Sequence, residues 1–153
     1  MNKLLLFIDG SVNNQLKLGC GAYLLVDENE EARTSQEDKV RTKTFKNTSS
    51  TKLELQTLLW ALNELPTTNQ TVVVYTDSQN IVSLPGRRVR LEQVDYSSKN
   101  NRLFNNHELY RKFFEIADRL DFELVKVKGH QQGKYKDYHD ELFTLVDLSL
   151  IHI

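Results

Sequence analysis

The chain has 153 residues, of which 39% are hydrophobic and 27% are charged, so it suits one compact domain with a single core. Its formal net charge is −1, which excludes the strongly basic balance of proteins that bind nucleic acid through their overall charge. Any contact with a polyanion must therefore come from local basic patches. The apolar run at the start reaches Asp9 after five residues, too short for a secretion signal or a membrane span.

The cysteine content bears on the compartment. Cys20 is the single cysteine, so the chain has no intramolecular disulfide, and this fits a reducing environment. With no secretion signal in view, we expect a cytoplasmic protein that does not associate with membranes. Nothing in the sequence predicts a protein partner, and we expect a monomer.

Three predicted strands come first. The apolar run at 3–8 predicts a buried strand, the run at 19–26 predicts a second, and alternating polarity at 39–46 predicts a half-exposed third. Because the strands follow one another directly, we expect them to pair as an antiparallel meander.

The hydrophobic period then changes to that of a helix. Leucines at helical spacing follow Ser and Thr residues that can act as N-caps, which predicts a helix near 51–65, closed by Pro66. The β-branched run at 71–76 predicts a central buried strand. A short helix can start after Asp77 and Ser78.

The second half of the chain is more polar. The segment 85–106 carries five basic residues and predicts an irregular, basic excursion. It is followed by a helix with one apolar face at 107–120 and a last strand at 122–127. A basic loop then leads to a terminal helix at 140–151, and the apolar end, 148–153, is atypical for a terminus.

This order of elements predicts an α/β (mixed α+β) fold in one domain spanning 1–153. We expect a five-stranded mixed sheet whose first three strands are antiparallel, with helices on both faces.

Four acidic residues stand out by position. Asp9 ends the first predicted strand, Asp77 ends the fourth, Glu54 lies in the first turn of a helix, and Asp140 starts the last helix. Each alone has an ordinary explanation as a turn, a cap or a partner of the helix dipole. If the first and fourth strands are neighbours, however, the carboxyl ends of the strands bring Asp9, Asp77 and Glu54 together.

Such a cluster has a chemical consequence. Carboxylates that converge repel one another unless cations neutralise them, and hard oxygen ligands suit Mg²⁺ or Mn²⁺. Two such ions can clamp the attacking water and the leaving oxygen of a phosphodiester. The pattern therefore indicates metal-assisted phosphoryl transfer to water.

At these positions the chain resembles the type 1 ribonuclease H family. The resemblance covers nearly the whole chain in five segments that follow the family's order. They are FIDGS at 7–11, TKLELQTLLWAL at 51–62, YTDSQNIV at 75–82, VKGH at 127–130 and DEL at 140–142.

The resemblance implies an RNase H-like fold and endonucleolytic hydrolysis of the RNA strand of RNA–DNA hybrids by a two-metal-ion mechanism. It implies Mg²⁺ as the cofactor, with Mn²⁺ as a possible substitute. The residues that it identifies as metal ligands are Asp9, Glu54, Asp77 and Asp140. On the loop before the last helix, His130 would shuttle a proton or aid product release.

The identity of the fourth acid stays open. Asp147 follows Asp140 by seven residues, so both point to the same side of the predicted helix, and LVDLSL also resembles the family's last motif. The family's spacing of ten residues after His130 favours Asp140.

The resemblance also implies which residues contact the hybrid. They are Gly10, Ser11, Ser50, Thr51, Gln79, Arg87, Arg88, Arg90 and Lys128. Ser50 and Thr51 replace the usual pair of asparagines and have a shorter reach. The three arginines fall where the family often carries a basic protrusion that grips the DNA strand through its phosphates.

The main alternative is a catalytically weak or inactive module that binds nucleic acid with the same fold. The presence of every acid argues against it. A proofreading-type exonuclease would have Asp-x-Glu on the first strand, where residue 11 is Ser. A small-molecule phosphotransferase would need a glycine-rich phosphate loop, and that motif is absent.

Overall fold

The computed structural model describes residues 3–28, 39–66 and 69–127. Several sequence predictions concern residues 128–153 and lie outside the described residues. They are the basic loop with Lys128 and His130, the last helix with Asp140 and Asp147, and the apolar end at 148–153.

Five strands form one sheet in the order β3-β2-β1-β4-β5. They are β1 Leu4–Asn13, β2 Leu18–Asp27, β3 Arg41–Lys46, β4 Val72–Thr76 and β5 Phe122–Lys126. The first three strands pair antiparallel, whereas β4 lies parallel to both β1 and β5. The predicted mixed sheet with an antiparallel first half is therefore confirmed.

Three helices accompany the sheet in the described ranges: α1 Ser50–Asn63, α2 Gln79–Gln93 and α3 His107–Arg119. The leucines of α1 fall at helical spacing, and Leu55 and Leu58 are fully buried against the sheet. None of the three helices is both long and apolar enough to cross a membrane.

The residues of β1 alternate between two buried clusters, because successive side chains of a strand point to opposite faces. Leu4, Leu6 and Ile8 pack in a cluster to which all three helices contribute buried residues. Leu5 and Phe7 belong to a second cluster with residues of β2 and β4. The three described helices pack on the first cluster, and the helix predicted at 140–151 is not among the described residues.

Close contact between α1 and the sheet depends on glycines. A Cβ added at Gly21 would clash with the Thr57 side chain, and one added at Gly19 would come within 2.9 Å of Leu53 and Thr48. On β1, a Cβ added at Gly10 would lie 3.0 Å from Leu53, the residue before Glu54, so α1 also packs closely on the strand that carries Asp9. Farther along α1, Trp60 packs edge-on against Tyr23, with ring centroids 4.8 Å apart.

The prediction of an irregular segment from residue 85 was wrong for residues 85–93. There α2 continues through Pro85 to Gln93, although proline removes one helical hydrogen bond. Ile81, Leu84 and Leu91 are buried at helical spacing and hold the helix on the core. Irregular structure begins only at residue 94 and includes residues with positive φ, such as Asp95 and Asn101.

Candidate active site

The register of β1 and β4 positions two of the predicted acids. The parallel ladder pairs Phe7 with Tyr75, so Asp9 and Asp77 each lie two residues beyond the same rung. The prediction that Asp9 ends the first strand was wrong, because β1 continues to Asn13 through its pairing with β2. Asp9 instead lies where β1 extends past its ladder with β4, which leaves its side chain room beside the strand end.

Asp9, Glu54 and Asp77 line one cavity of about 180 Å³. The three acids come from β1, from the second turn of α1 and from the residue that follows β4. The prediction that Glu54 lies in the first turn of its helix was wrong, because α1 begins at Ser50. The Gly10 amide donates a hydrogen bond of 2.9 Å to Asp9 Oδ1. The three acids that the sequence grouped together thus border one cavity, and their role as metal ligands stays a prediction.

Glu54 is half-buried, and its surroundings act on its charge in opposing ways. Burial raises the pKa of the Glu54 carboxyl above its usual range, and the negative charge of Asp77 raises it further. A hydrogen bond from the Ser78 hydroxyl acts against both. The influence of Asp77 means that these two carboxylates interact electrostatically across the cavity.

Sequence reasoning did not identify Ser78 as part of the site. Its side chain is buried, and Ser78 Oγ accepts a hydrogen bond of 3.2 Å from the Ile81 amide as the N-cap of α2. The same hydroxyl donates to Glu54, so Ser78 joins the start of α2 to α1. The only signal in the sequence was its place directly after Asp77.

The chemistry of these side chains fits a divalent cation. Among the residues that the structure describes, the charged side chains at the cavity are all carboxylates, the ligand type that Mg²⁺ and Mn²⁺ prefer. Burial first, and the charge of Asp77 second, raise the pKa of Glu54, and a bound cation would favour the charged carboxylate. Within the described ranges, however, no three His, Cys, Asp or Glu side chains lie close enough together to hold a metal ion. The fourth predicted acid is outside those ranges.

The other predicted contacts near the cavity divide into two groups. Gly10 and Ser50 line it. Ser11 is exposed on β1 and Thr51 is half-buried in the first turn of α1, and neither borders the cavity. Gln79 is exposed as the first residue of α2, and its Oε1 accepts a hydrogen bond of 2.8 Å from Lys126 Nζ.

The three predicted arginines differ in their surroundings. Arg87 donates a hydrogen bond of 3.3 Å to Asn80 Oδ1 and lies over the Tyr110 ring. Arg88 forms one ion pair with Glu92 within α2 and another with Asp118, which joins α2 to α3.

The remaining arginine, Arg90, is exposed in the last turn of α2. Because the charge of Arg88 is compensated within the protein, Arg90 and Arg87 are better placed than Arg88 to meet phosphates.

The sheet order, the three helices and the two acids just beyond the β1–β4 ladder define an RNase H-like protein. The chain belongs to the RNase H family, because the model of that family matches residues 1–143. No curated protein matches the sequence.

Solved structures share the fold at low identity. The solution structure of the PFV RNase H domain is 15% identical, with a TM-score of 0.76, and the match covers 97% of this chain and 92% of that one. The foamy viral protease-reverse transcriptase in complex with dsDNA is 6% identical, with a TM-score of 0.66 and coverage of 99% and 95%. At this identity the likeness concerns the fold alone.

Proposed function

We propose that the protein hydrolyses the RNA strand of RNA–DNA hybrids endonucleolytically with two divalent cations, Mg²⁺ or Mn²⁺. One observation carries the proposal: Asp9, Glu54 and Asp77 reach the same cavity from three different elements. Membership of the RNase H family supports a nuclease that acts on nucleic acid.

The chain's own residues would divide the work. Asp9, Glu54 and Asp77 would hold the cations, with Asp140 or Asp147 completing the set. When bound, these ions supply an activated water and neutralise charge on the scissile phosphate. The Gly10 amide and the Ser78 hydroxyl orient the carboxylates of Asp9 and Glu54.

Substrate contacts would surround this cavity. A hybrid differs from DNA duplex in the 2′-hydroxyls along a wide minor groove, so the residues beside the cavity must recognise that groove. Gly10, Ser11, Ser50, Thr51 and Gln79 are proposed for it. Arg87, Arg88, Arg90 and Lys128 are proposed for the phosphates, and His130 for a proton transfer or product release.

In the cell, we propose that the protein acts in the cytoplasm as a monomer.

A second candidate is a catalytically weak or inactive nucleic-acid-binding module with the RNase H fold. It is favoured by the finding that no three ligands gather for a metal ion in the part of the chain that the structure describes. The two proposals differ in whether the acids at the cavity are needed for a reaction.

Cleavage of a labelled RNA–DNA hybrid in Mg²⁺ tests the proposal. We expect the wild type to cleave the RNA strand and Asp77→Asn to lose at least about a hundredfold in rate, because one ligand charge is removed. Asp95→Asn is the matched control, since it removes an exposed carboxylate at a positive-φ position that Asn also tolerates.

Equal rates for wild type and Asp77→Asn would refute the site. Cleavage of single-stranded RNA at the same rate as the hybrid would refute the specificity. Hybrid binding without any cleavage in Mg²⁺ or Mn²⁺ would favour the binding module.

A further inference from the structure

A hydrogen bond joins β5 to α2 at the edge of the sheet where the acids lie. Lys126 Nζ is 2.8 Å from Gln79 Oε1, although the two residues are far apart in sequence. Lys126 pairs with Thr76, the residue before Asp77, in the β4–β5 ladder, and Gln79 begins α2 two residues after Asp77. This contact borders the candidate active site without belonging to its carboxylates.

The strand pattern explains why Lys126 reaches Gln79. Phe122 and Leu124 pack against the cluster that contains the three helices. Because side chains alternate along a strand, Lys126 points to the same face, beyond the end of the apolar core. At that end of β5 the Lys126 side chain meets the N-terminus of α2, because α2 packs on β5.

The chemistry of lysine fixes the orientation of the Gln79 amide. An ammonium group only donates hydrogen bonds, so the amide oxygen must face it and the amide nitrogen must face away. An unrestrained glutamine can present either its oxygen or its nitrogen to a ligand. With Lys126 in place, Gln79 presents the two N–H donors.

We propose that Lys126 is a positioning residue that holds Gln79 so that its Nε2 donates to hydrogen-bond acceptors in the minor groove of the bound nucleic acid. The inference rests on the proposed function, because it takes the hybrid to lie across the cavity. Acceptors in that groove are purine N3, pyrimidine O2 and the ribose 2′-oxygen, and all base pairs offer at least one. Such a contact distinguishes base sequences poorly, as suits a nuclease without sequence preference.

A double-mutant cycle tests this coupling without relying on catalysis. The dissociation constant of a fluorescent RNA–DNA hybrid is measured by anisotropy in a chelator, for Lys126→Met, Gln79→Met and the double variant. We expect each single change to weaken binding about fivefold, the size of one lost hydrogen bond, and the double variant to be no weaker than either. Lys126→Arg still donates to Gln79 and should bind as the wild type does.

Lysine could instead act on a phosphate directly, and salt dependence separates the two cases. Lys112→Met is the matched control, because it removes an exposed lysine on α3. A residue that contacts phosphate changes the slope of log Kd against log salt by about one, so we expect Lys126→Met to show the same slope as Lys112→Met. In Mg²⁺, Lys126→Met should raise KM and leave kcat unchanged.

Each outcome of these experiments either supports or overturns the inference. Additive effects of Lys126→Met and Gln79→Met, a changed salt slope, or no binding of hybrid by the wild type would overturn the inference. A loss seen with hybrid but not with DNA duplex would identify the 2′-oxygen as the acceptor, and an equal loss with both would identify a base edge. Coupling in a protein that fails to cleave would leave the inference standing while the proposed reaction falls.

Discussion

The Ser78 hydroxyl accepts one hydrogen bond and donates another, so it connects the N-terminus of α2 with the acids of the candidate site. Its oxygen accepts from the Ile81 amide, and its proton goes to Glu54. Without that donor the buried carboxyl of Glu54 would lose the interaction that favours its charged form. One small residue therefore helps to set both the start of α2 and the charge of Glu54.

Replacing Ser78 should affect stability and activity together. We expect Ser78→Ala to lower the free energy of unfolding by about 1 kcal/mol through loss of the cap, and the cleavage rate roughly tenfold through Glu54. Ser78→Thr keeps the hydroxyl and should retain most of both. Urea unfolding and hybrid cleavage measure the two effects, and unchanged activity in Ser78→Ala would show that Glu54 needs no such donor.

Tyr23 gives a pH-dependent contribution to stability. Burial raises the pKa of Tyr23 to about 12, and the hydrogen bond of 2.7 Å that Tyr23 donates to Glu64 adds to the rise. The folded protein thus holds the phenol proton more tightly than the unfolded chain, whose tyrosine pKa is near 10.0. This contribution is complete below pH 10 and is lost as the pH rises from 10 towards 12.

Tyr23→Phe tests that contribution by urea unfolding at several pH values. At neutral pH the variant should be less stable than the wild type by about 1 kcal/mol, the value of one hydrogen bond. The difference should shrink between pH 10 and pH 12, because the wild type loses the contribution of Tyr23 there and other titrating groups affect both proteins alike. A constant difference across that range would show that Tyr23 does not titrate as described.

Sequence patterns located individual acids better than their neighbours. Asp9, Glu54 and Asp77 could be grouped because short motifs surround them and because the order of elements allows β1 and β4 to be neighbours, although β1 continues past Asp9 to Asn13. Ser78 and Lys126 could not, since their roles depend on side chains that meet across elements. No local pattern encodes the distance between Lys126 and Gln79.

At the scale of elements, the close packing of α1 on the sheet depends on glycines, which have no Cβ. Gly21 faces Thr57 so closely that no Cβ fits between them. Thr57 Oγ1 is itself buried with no hydrogen-bond partner among the described residues. At this contact the volume of the Thr57 side chain sets how closely α1 approaches β2, since Thr57 Oγ1 makes no hydrogen bond among the described residues.

Gly21→Ala should destabilise the protein by about 2 kcal/mol, because the added methyl forces α1 away from the sheet. The double variant with Thr57→Ala should recover much of this loss, since the clashing atoms of Thr57 are removed. Thr57→Ala alone should be nearly neutral, because it removes an unpaired buried hydroxyl. Thermal and urea unfolding of the three variants measure the coupling, and simple additivity would exclude the contact as its cause.

The length of α2 shows where helix prediction failed. The polar composition of 85–106 and its five basic residues suggested an irregular segment. The buried positions Ile81, Leu84 and Leu91 hold the helix on the core regardless, and the ion pairs of Arg88 add contacts to α3. Tertiary packing outweighed local preference in a segment with few apolar residues.

For the whole molecule, the mixed sheet with an antiparallel first half could be predicted because three strands come first and helices separate the strands that follow. That β1 and β4 are neighbours entered only as a condition, and the structure supplies it. The near-neutral charge also has a structural counterpart, since part of the basic charge is used internally. Arg88 pairs with Asp118, Arg111 with Asp95 and Arg41 with Glu64. A count of charges in the sequence could not reveal which basic side chains remain available to bind a ligand.

The position of Trp60 gives the protein an intrinsic fluorophore that reports on the packing of α1 against the sheet. It is the single tryptophan of the chain, it lies on the helix that carries Glu54, and it packs against Tyr23 of β2 and Phe45 of β3. Any shift of that helix on the sheet must change the environment of the indole and therefore its emission. Stopped-flow fluorescence of the unlabelled protein would thus follow helix movement during substrate binding.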